Sequence, residues 1–322
     1  MNNQGNENIS RGYLICFTAT ALWSTTAIII RYLIQTYQMP PLLLAFWRDS
    51  IVFLSLLGIF ILFNRFGFRI SQSNIPFFLL YGFVLSAFNA VWTISVALNG
   101  AAVSTVLAYS SPAFTALLAR WLFNEKLGPV KITAILMSFV GCFLIAGAYN
   151  LVEWRLNPLG IATGLVSGLL FALYILMGKS SSRRSINPWT AMLYSFGIAA
   201  FFLFFYVIMP VRWPEGISST NIFWLDGKVA GWLVLILLAV GPTLGGYGLY
   251  TVSMTYLQAS VASLIATLEP VLTALLAYTM LGERFTLIQI VGGIMISLGV
   301  VVLRIGERNP QQTIQKVASD QS

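Results

Sequence analysis

Three charged side chains lie deep inside long apolar runs of this sequence, and they are the residues best placed to do chemistry. They are Arg48, Asp49 and Glu269. A charge at bilayer depth is costly unless it is paired or reaches water, so we expect these side chains to face a protein interior or an aqueous path. A guanidinium can hold a carboxylate through two parallel hydrogen bonds. A buried carboxyl group favours its neutral form and can change charge when a cation or water arrives.

Each of these residues also has a purely structural interpretation. Arg48 and Asp49 are neighbours, and adjacent side chains on a helix diverge by about 100°, so we expect them not to pair with each other. Arg48 lies about 10 Å below the membrane surface, where it either binds a substrate carboxylate or makes an ion pair that orients its helix. Glu269 lies near the middle of its run. It either contacts a substrate ammonium group or a coupling proton, or it only holds the helix break at Pro270.

Polar and aromatic residues in other runs add further candidates. Asn89 and Trp92 are three residues apart and therefore share a helix face. Tyr and Trp near the ends of spans are usually interface anchors, but Trp92 and Tyr109 lie deep enough that a cavity role and simple packing both stay open. The run GPTLGGYG permits close helix approach or local unwinding. The candidates in these runs are Asn89, Trp92, Tyr109, Ser110, Ser111, Thr243, Tyr247 and Tyr250.

The composition indicates the class of protein. Of 322 residues, 58% are hydrophobic and only 9% are charged, whereas soluble domains carry about 25% charged residues. The net charge of +8 is scattered between apolar runs, which argues against binding to nucleic acid. Histidine is absent, and the two cysteines, Cys16 and Cys142, lie in apolar runs as small core residues. We therefore expect a polytopic membrane protein that is not an enzyme and has no metal site or cofactor.

Ten apolar runs are long enough to cross a bilayer, which takes about 20 residues. The breaks at 98–102 and 254–257 are short, so the count depends most on these two points. Residues 1–11 are polar, and no small-residue cleavage pattern follows, which predicts a tail before a membrane span rather than a cleaved signal peptide. We place the spans near 12–34, 42–63, 75–98, 102–123, 130–148, 158–178, 188–209, 229–254, 257–280 and 285–303.

The basic residues between the runs gather on one side of the predicted membrane. With the N-terminus inside, most Lys and Arg residues fall in inside segments, and the clearest is the loop 179–184, KSSSRR. Basic residues are enriched in cytoplasmic loops. We therefore expect a multi-pass protein of the cell (plasma or inner) membrane with both termini in the cytoplasm.

Two stretches are near-copies of each other. Residues 100–125 read GAAVSTVLAYSSPAFTALLARWLFNE, and residues 258–283 read QASVASLIATLEPVLTALLAYTMLGE. The pairs at this offset of 158 include Pro112 with Pro270, Ser111 with Glu269, and Glu125 with Glu283. A looser repeat at an offset of 148 places Trp23 on Phe171 and Arg31 on Lys179.

The repeat predicts two halves of five spans each. An odd number of spans forces the halves into opposite orientations, which is the inverted-repeat arrangement of many secondary transporters, with a site near the midplane. The alternative is a duplicated scaffold with no transport role. Pro112 and Pro270 each remove an amide donor, from the carbonyls of Ala108 and Ala266 respectively, so we expect both helices to bend at mid-membrane. Such bends suit alternating access, although proline also kinks spans that do not move.

These motifs together resemble the EamA-type transporters of the drug/metabolite transporter superfamily. The resemblance extends over residues 12–303 and is carried by SSPAFTALLARWLFNE, LEPVLTALLAYTMLGE, the Trp of LWST at Trp23, and FWRDS around Arg48. It implies a ten-helix carrier with a cavity lined mainly by the third, fourth, eighth and ninth helices. Asp49 departs from the apolar residue expected at its position. The resulting candidate substrate-binding set is Trp23, Arg48, Asn89, Trp92, Tyr109, Ser111, Tyr247, Tyr250 and Glu269.

The sequence thus predicts an all-α integral membrane protein of ten transmembrane helices in two inverted five-helix repeats. The expected segments are an N-terminal tail (1–11), a first repeat (12–148), a linker (149–157), a second repeat (158–304) and a C-terminal tail (305–322). The function implied is export of small metabolites, with amino acids as the leading substrate class and a proton as one candidate coupling ion. The alternatives are a flippase for a lipid-linked carrier and multidrug efflux.

Overall fold

The protein is helical in the part of the chain that the computed structural model describes, which is residues 2–63, 70–145, 158–209, 216, 218–281 and 286–319. No strand occurs in these residues, so the predicted all-α fold is confirmed. The helices are α1 (Asn2–Trp23), α2 (Thr26–Tyr37), α3 (Pro41–Phe63), α4 (Ile75–Ala108), α5 (Ser111–Phe123), α6 (Pro129–Ile145), α7 (Pro158–Arg183), α8 (Pro188–Ile208), α9 (Val229–Leu238), α10 (Gly246–Ser253), α11 (Ala259–Ala266), α12 (Glu269–Leu281) and α13 (Leu287–Ser319), with a 3-10 turn at Gln72–Asn74 and a π-helical turn at Ala239–Gly245.

Most of the predicted spans correspond to continuous apolar helix. Among the described residues, eight segments are long and apolar enough to cross a membrane, and α6 is apolar but shorter. The first span differs from its prediction because it is interrupted between α1 and α2. The predicted linker, 149–157, lies outside the described residues. The eight segments are Asn8–Tyr37, Pro41–Leu62, Gln72–Trp92, Leu159–Arg183, Pro188–Ile208, Val229–Ser253, Ala259–Leu276 and Leu287–Ile305.

The predicted fourth span is formed by the end of α4 together with α5. Helical geometry is assigned to the whole of α4. Nevertheless, Ser95 and Leu107 of this helix both lie next to Gly164 of α7: a Cβ added at Gly164 would be 2.9 Å from Ser95 Oγ and 2.8 Å from Leu107 Cβ. A straight helix would separate residues 95 and 107 by about 18 Å. The chain therefore turns back within α4, in the region where the sequence places the short break between the third and fourth spans.

A reciprocal contact between α6 and α13 shows how the two halves are related. A Cβ added at Gly141 would lie 2.7 Å from Gly292 O, and one added at Gly299 would lie 3.1 Å from Ala134 O. At the repeat offset of 158, Gly141 corresponds to Gly299 and Ala134 to Gly292. The same contact is thus made twice with the roles exchanged, as a two-fold axis between the repeats requires.

Corresponding helices of the repeats run in opposite directions. The rings of Phe46 and Phe204 are 5.5 Å apart, and a Cβ added at Gly197 would lie 2.7 Å from the ring of Phe53. Residue numbers that increase along α3 are therefore paired with numbers that decrease along α8, so the second and seventh spans are antiparallel. The predicted inverted repeat is confirmed.

The first and last helices meet at one end of the bundle. Arg304 donates a hydrogen bond to Ser10 Oγ at 2.8 Å, so the described ends of the first and last spans lie on one side of the bundle. We call this side the terminal face. Close to it, all eight residues of α11 are buried, and its six apolar residues belong to a cluster shared with α1 and α10. Cys16 and Cys142 are both buried and unpaired, as predicted.

Candidate functional site

Arg48 and Asp49 form an ion pair inside the bundle. Arg48 Nε donates to Asp49 Oδ1 at 3.0 Å, and Nη2 lies 3.0 Å from the same oxygen. The expectation that these neighbours would not pair is therefore wrong. Their Cβ atoms do diverge along the helix, but the long arginine side chain folds back and brings its guanidinium to the adjacent carboxylate. Arg48 is 8% exposed and Asp49 is fully buried.

Asn89 holds the second oxygen of the same carboxylate. Its Nδ2 donates to Asp49 Oδ2 at 2.9 Å, which ties α4 to α3. Asp49 thus neutralises Arg48 and is itself hydrogen-bonded on both oxygens, which is how a buried carboxylate avoids the cost of an unpaired charge. Arg48 Nη2 is buried and makes no hydrogen bond of good geometry within the described structure. One edge of the guanidinium therefore retains donor capacity.

An aromatic cluster lies next to this ion pair. Its rings belong to Trp23, Phe171, Tyr247 and Tyr250, and the centroid of Trp23 is 4.9 Å from that of Tyr247 and 4.8 Å from that of Tyr250. A Cβ added at Gly246 would lie 2.5 Å from Trp23 Nε1, so only glycine lets α10 approach this closely. Trp23 Nε1 and Tyr250 Oη are buried without a hydrogen-bond partner among the described residues. The cluster therefore offers two buried donors that make no hydrogen bond.

A π-helical turn sets the position of the two tyrosines. The turn contains Pro242, whose missing amide would have bonded to the carbonyl of Leu238 in a regular helix. Thr243 Oγ1 donates to that carbonyl instead, at 2.8 Å. Tyr247 and Tyr250 follow in α10, so the turn decides which way they face. Turns of this kind are frequent at functional sites.

Glu269 stands at the break between two helical segments. Helix α11 ends at Ala266, and α12 begins at Glu269 with Pro270 as its second residue. The first repeat has the same arrangement, because α4 ends at Ala108 and α5 begins at Ser111. The breaks thus lie where the two prolines remove an amide donor.

The carboxyl group of Glu269 faces the centre of the bundle. The hydroxyl of Tyr109 approaches it. Tyr247 lies within electrostatic range of Glu269 and also of Arg48 and Asp49. The ion pair, the aromatic cluster and Glu269 therefore surround one central region, with Tyr247 between them.

Most of the candidate set from the sequence meets in this region. The exceptions are Ser111, which is buried at the start of α5, and Trp92, which is half-buried in α4. Neither takes part in the ring contacts or hydrogen bonds described above. Sequence reasoning missed Phe171 as a member of the cluster, although its match to Trp23 in the repeat was a signal for it. Among the residues that the structure describes, no group of three or more His, Cys, Asp or Glu side chains could hold a metal ion.

Comparison with known proteins shows which family this chain resembles. The profile of the EamA-like transporter family matches residues 10–147 and 158–305. An uncharacterized transporter of Archaeoglobus fulgidus is 28% identical over 62% of this chain and 66% of its own length. The uncharacterized transporter sll1319 of Synechocystis is 28% identical over 71% of this chain and 66% of its own length. The chain thus spans just under two thirds of these two relatives.

Other similarities cover more of the chain. The uncharacterized inner membrane transporter YicL of Salmonella typhimurium is 23% identical over 92% of this chain and 96% of its own length. A solved crystal structure superposes with a TM-score of 0.75 over 93% of this chain and 98% of that chain, at 20% identity, and it supports the fold alone. Because the family profile matches nearly the whole chain in two copies, this protein belongs to the EamA-like transporter family.

Proposed function

We propose that this protein is a secondary transporter that exports small amphipathic metabolites by alternating access, with amino acids as the leading substrate class. The observation that carries the proposal is the central region around Tyr247, where buried charges and unpartnered donors meet between two inverted repeats. Transporters built this way bind substrate near the midplane and expose it alternately by moving one repeat against the other.

The chemistry of the region favours a substrate with both an acceptor and an amine. Trp23 Nε1 and Tyr250 Oη are buried donors without a hydrogen-bond partner in the described structure, and Arg48 Nη2 has only its ion-pair contact with Asp49. Leaving such groups unsatisfied costs about 1–3 kcal/mol each, so a carboxylate that accepts from them would bind favourably. Their side chains all lie around Tyr247, within ring contact or electrostatic range.

The charges in the central region explain why an amine is expected in the substrate. Asp49 already neutralises Arg48, so among the described residues Glu269 is the acidic group in this region that has no cationic partner. A substrate ammonium group, or a coupling proton, would neutralise it. The aromatic rings would pack against an apolar body. An amino acid with a bulky apolar side chain carries all three features.

The basic residues support a proposal for the orientation in the membrane. Lys131, Lys179, Arg183 and Arg184 belong to the terminal face, where they make contacts with neighbouring segments. We propose that this face is cytoplasmic in a plasma or inner membrane. The two repeats, 12–148 and 158–304, would then move against each other around the central region.

A flux assay tests the proposal. Purified protein is reconstituted into liposomes loaded with each of the twenty labelled amino acids, and release is compared with that from protein-free liposomes. Release of at least one bulky apolar amino acid is expected. No release of any of the twenty would remove the substrate claim, and movement of cationic dyes or of a lipid-linked carrier instead would favour multidrug efflux or a flippase.

A further inference from the structure

The link between α10 and α11 is held at the terminal face by a lysine of α7 and a glutamate of the loop that follows α5. Lys179 Nζ donates to the carbonyls of Met254 and Leu257 at 2.7 and 2.5 Å. Glu125 Oε1 accepts from the amide of Ala259 at 3.0 Å, and Oε2 accepts from Ser260 Oγ. A carboxylate at the N-terminus of a helix satisfies free amides and interacts favourably with the helix dipole.

Lys131 completes this arrangement. Its Nζ donates to Ser260 Oγ at 3.0 Å and to Gln258 Oε1, and it lies 3.8 Å from Glu125 Oε2. Glu125 is 7% exposed and Lys131 is 8% exposed. We call Glu125, Lys131 and Lys179 the terminal-face clamp. Glu125 and Lys131 are both buried and neutralise each other, so separating these two charges would be costly. Lys179 is partly buried and adds its bonds to the two carbonyls.

The clamp lies at the entrance to the most tightly packed part of the ninth span. Every residue of α11 is buried. A Cβ added at Gly12 of α1 would lie 2.7 Å from Tyr256 Cβ, so α1 closes directly over the link. Beyond Glu269 the packing changes, because no residue of α12 whose side chain the structure describes is buried. The ninth span is therefore packed more tightly on the side of the clamp than beyond Glu269.

The repeat shows what stands at the matching place on the opposite face. At an offset of 158, Lys131 corresponds to Gln289, Gln258 to Gly100 and Ser260 to Ala102. The acid is kept as Glu283, and Lys179 corresponds to Arg31 at an offset of 148. At these matched positions the sequence therefore has an amide in place of the Lys131 ammonium group, and it has no polar side chain in place of Gln258 or Ser260.

Gln289 makes different hydrogen bonds from those of Lys131, its counterpart in the first repeat. Its Oε1 accepts from the amide of Thr286 at 2.9 Å, and its Nε2 donates to the carbonyl of Ile145 at 3.3 Å. The side chain therefore caps the start of α13 and is already engaged.

We propose that the terminal-face clamp is the gate on that side of the bundle. Because the matching residues of the other repeat lack part of the clamp, the resting protein is closed at the terminal face. This inference rests on the alternating access proposed above. In a transporter with inverted repeats, the two end states exchange equivalent contacts, so the stronger set of contacts decides which state is populated. The residues that match Lys131 and Ser260 in the other repeat, Gln289 and Ala102, carry neither an ammonium nor a hydroxyl group.

Thiol labelling in membrane vesicles tests the gate without any substrate, so its outcome is separable from that of the flux assay. A cysteine is introduced by Ser263→Cys on the buried helix α11. Its reaction with a membrane-impermeant maleimide is followed in right-side-out and inverted vesicles, and the chain without the added cysteine gives the background from Cys16 and Cys142. The gate variants are Lys131→Gln and Ser260→Ala.

We expect both variants to accelerate labelling in one vesicle orientation only. Lys131→Gln should raise the rate about fivefold or more, because it also leaves the buried Glu125 carboxylate without its counter-charge. Ser260→Ala should raise the rate by less, because it removes a single hydroxyl group and leaves both charges in place. A second probe, Thr273→Cys on α12, should react more slowly when Lys131→Gln is present, because closing the opposite face protects it. General destabilisation would accelerate both probes and would overturn the proposal.

The matched control is Lys126→Gln, which removes the same charge from an exposed neighbouring lysine. It should leave both labelling rates unchanged. Equal effects of Lys126→Gln and Lys131→Gln would also overturn the proposal. Should Lys131→Gln fail to reach the membrane, Ser260→Ala, which removes a single hydroxyl group, decides the question by the same two rates.

Discussion

The contact between α6 and α13 and the central region around Tyr247 show opposite uses of the same repeat. At the helix contact, Gly141 and Gly299 are equivalent and pack in the same way. In the centre, equivalent positions carry different chemistry: Glu269 stands opposite Ser111 in the repeat, and Tyr247 opposite Asn89. Packing is thus symmetric, whereas charge and hydrogen bonding are not.

This difference separates scaffold from function. Close helix contacts must be kept in both repeats because the same interface serves both orientations of the halves. A binding site for an asymmetric substrate has no such need, so its residues are free to diverge. Residues that break the repeat are therefore the better candidates for recognition and gating.

Asp49→Asn should produce the largest effect on stability. The change leaves Arg48 buried without its counter-charge, and breaking a buried ion pair from one side costs about 3–5 kcal/mol. We expect a clear fall in the thermal unfolding temperature of the detergent-solubilised protein. The control is Asp226→Asn, outside the spans, where asparagine tolerates the positive φ of 42°. Equal changes in unfolding temperature in the two variants would show that the central ion pair does not contribute more to stability than an acidic residue outside the spans.

Gly292→Ala tests the symmetric side of the comparison. The new methyl group would lie 2.7 Å from Gly141 O and 2.7 Å from the amide nitrogen of Ile145, so α6 and α13 must move apart. Overpacking of this kind costs about 1–3 kcal/mol. The adjacent Gly293→Ala is the matched control, because its methyl group would meet its nearest atom at 3.6 Å. Thermal unfolding should separate the two, and similar behaviour would argue against the close contact.

Thr243→Val should have the smallest effect. It removes the donor to the Leu238 carbonyl in the π-helical turn, at a cost of about 1 kcal/mol. The equivalent residue in the first repeat is Leu85, so this device belongs to one repeat only. Thr279→Val, which removes an exposed hydroxyl group, is the control. An unfolding temperature of Thr243→Val equal to that of the control would show that the turn does not depend on this bond.

Much of the fold could be predicted from the sequence because membrane spans and repeats leave long-range patterns. Apolar length predicted the spans, and the odd number in each half predicted their inversion. The proline positions predicted where the fourth and ninth helices are interrupted. Each of these inferences depends on the backbone alone, for which the bilayer leaves few alternatives.

The contacts of the site could not be predicted in the same way. Pairing of Arg48 with Asp49 depends on the arginine rotamer, which helix periodicity does not specify. The terminal-face clamp joins Glu125 of the loop after α5 with Lys131 of α6 and Lys179 of α7, and only the packed bundle brings them together. The roles assigned to Glu269 and to the rest of the candidate set stay predictions.

The most direct test of the account is the flux carried by Glu269→Gln for an amino acid that the wild-type protein releases. The substitution keeps the shape of the side chain and removes its charge. We predict that flux falls by roughly tenfold or more, as expected for loss of a charged hydrogen bond, and no longer changes with pH, while the unfolding temperature is unchanged. Asp226→Asn should transport normally. Wild-type flux by Glu269→Gln at every pH would contradict the account and reduce Glu269 to a part of the scaffold.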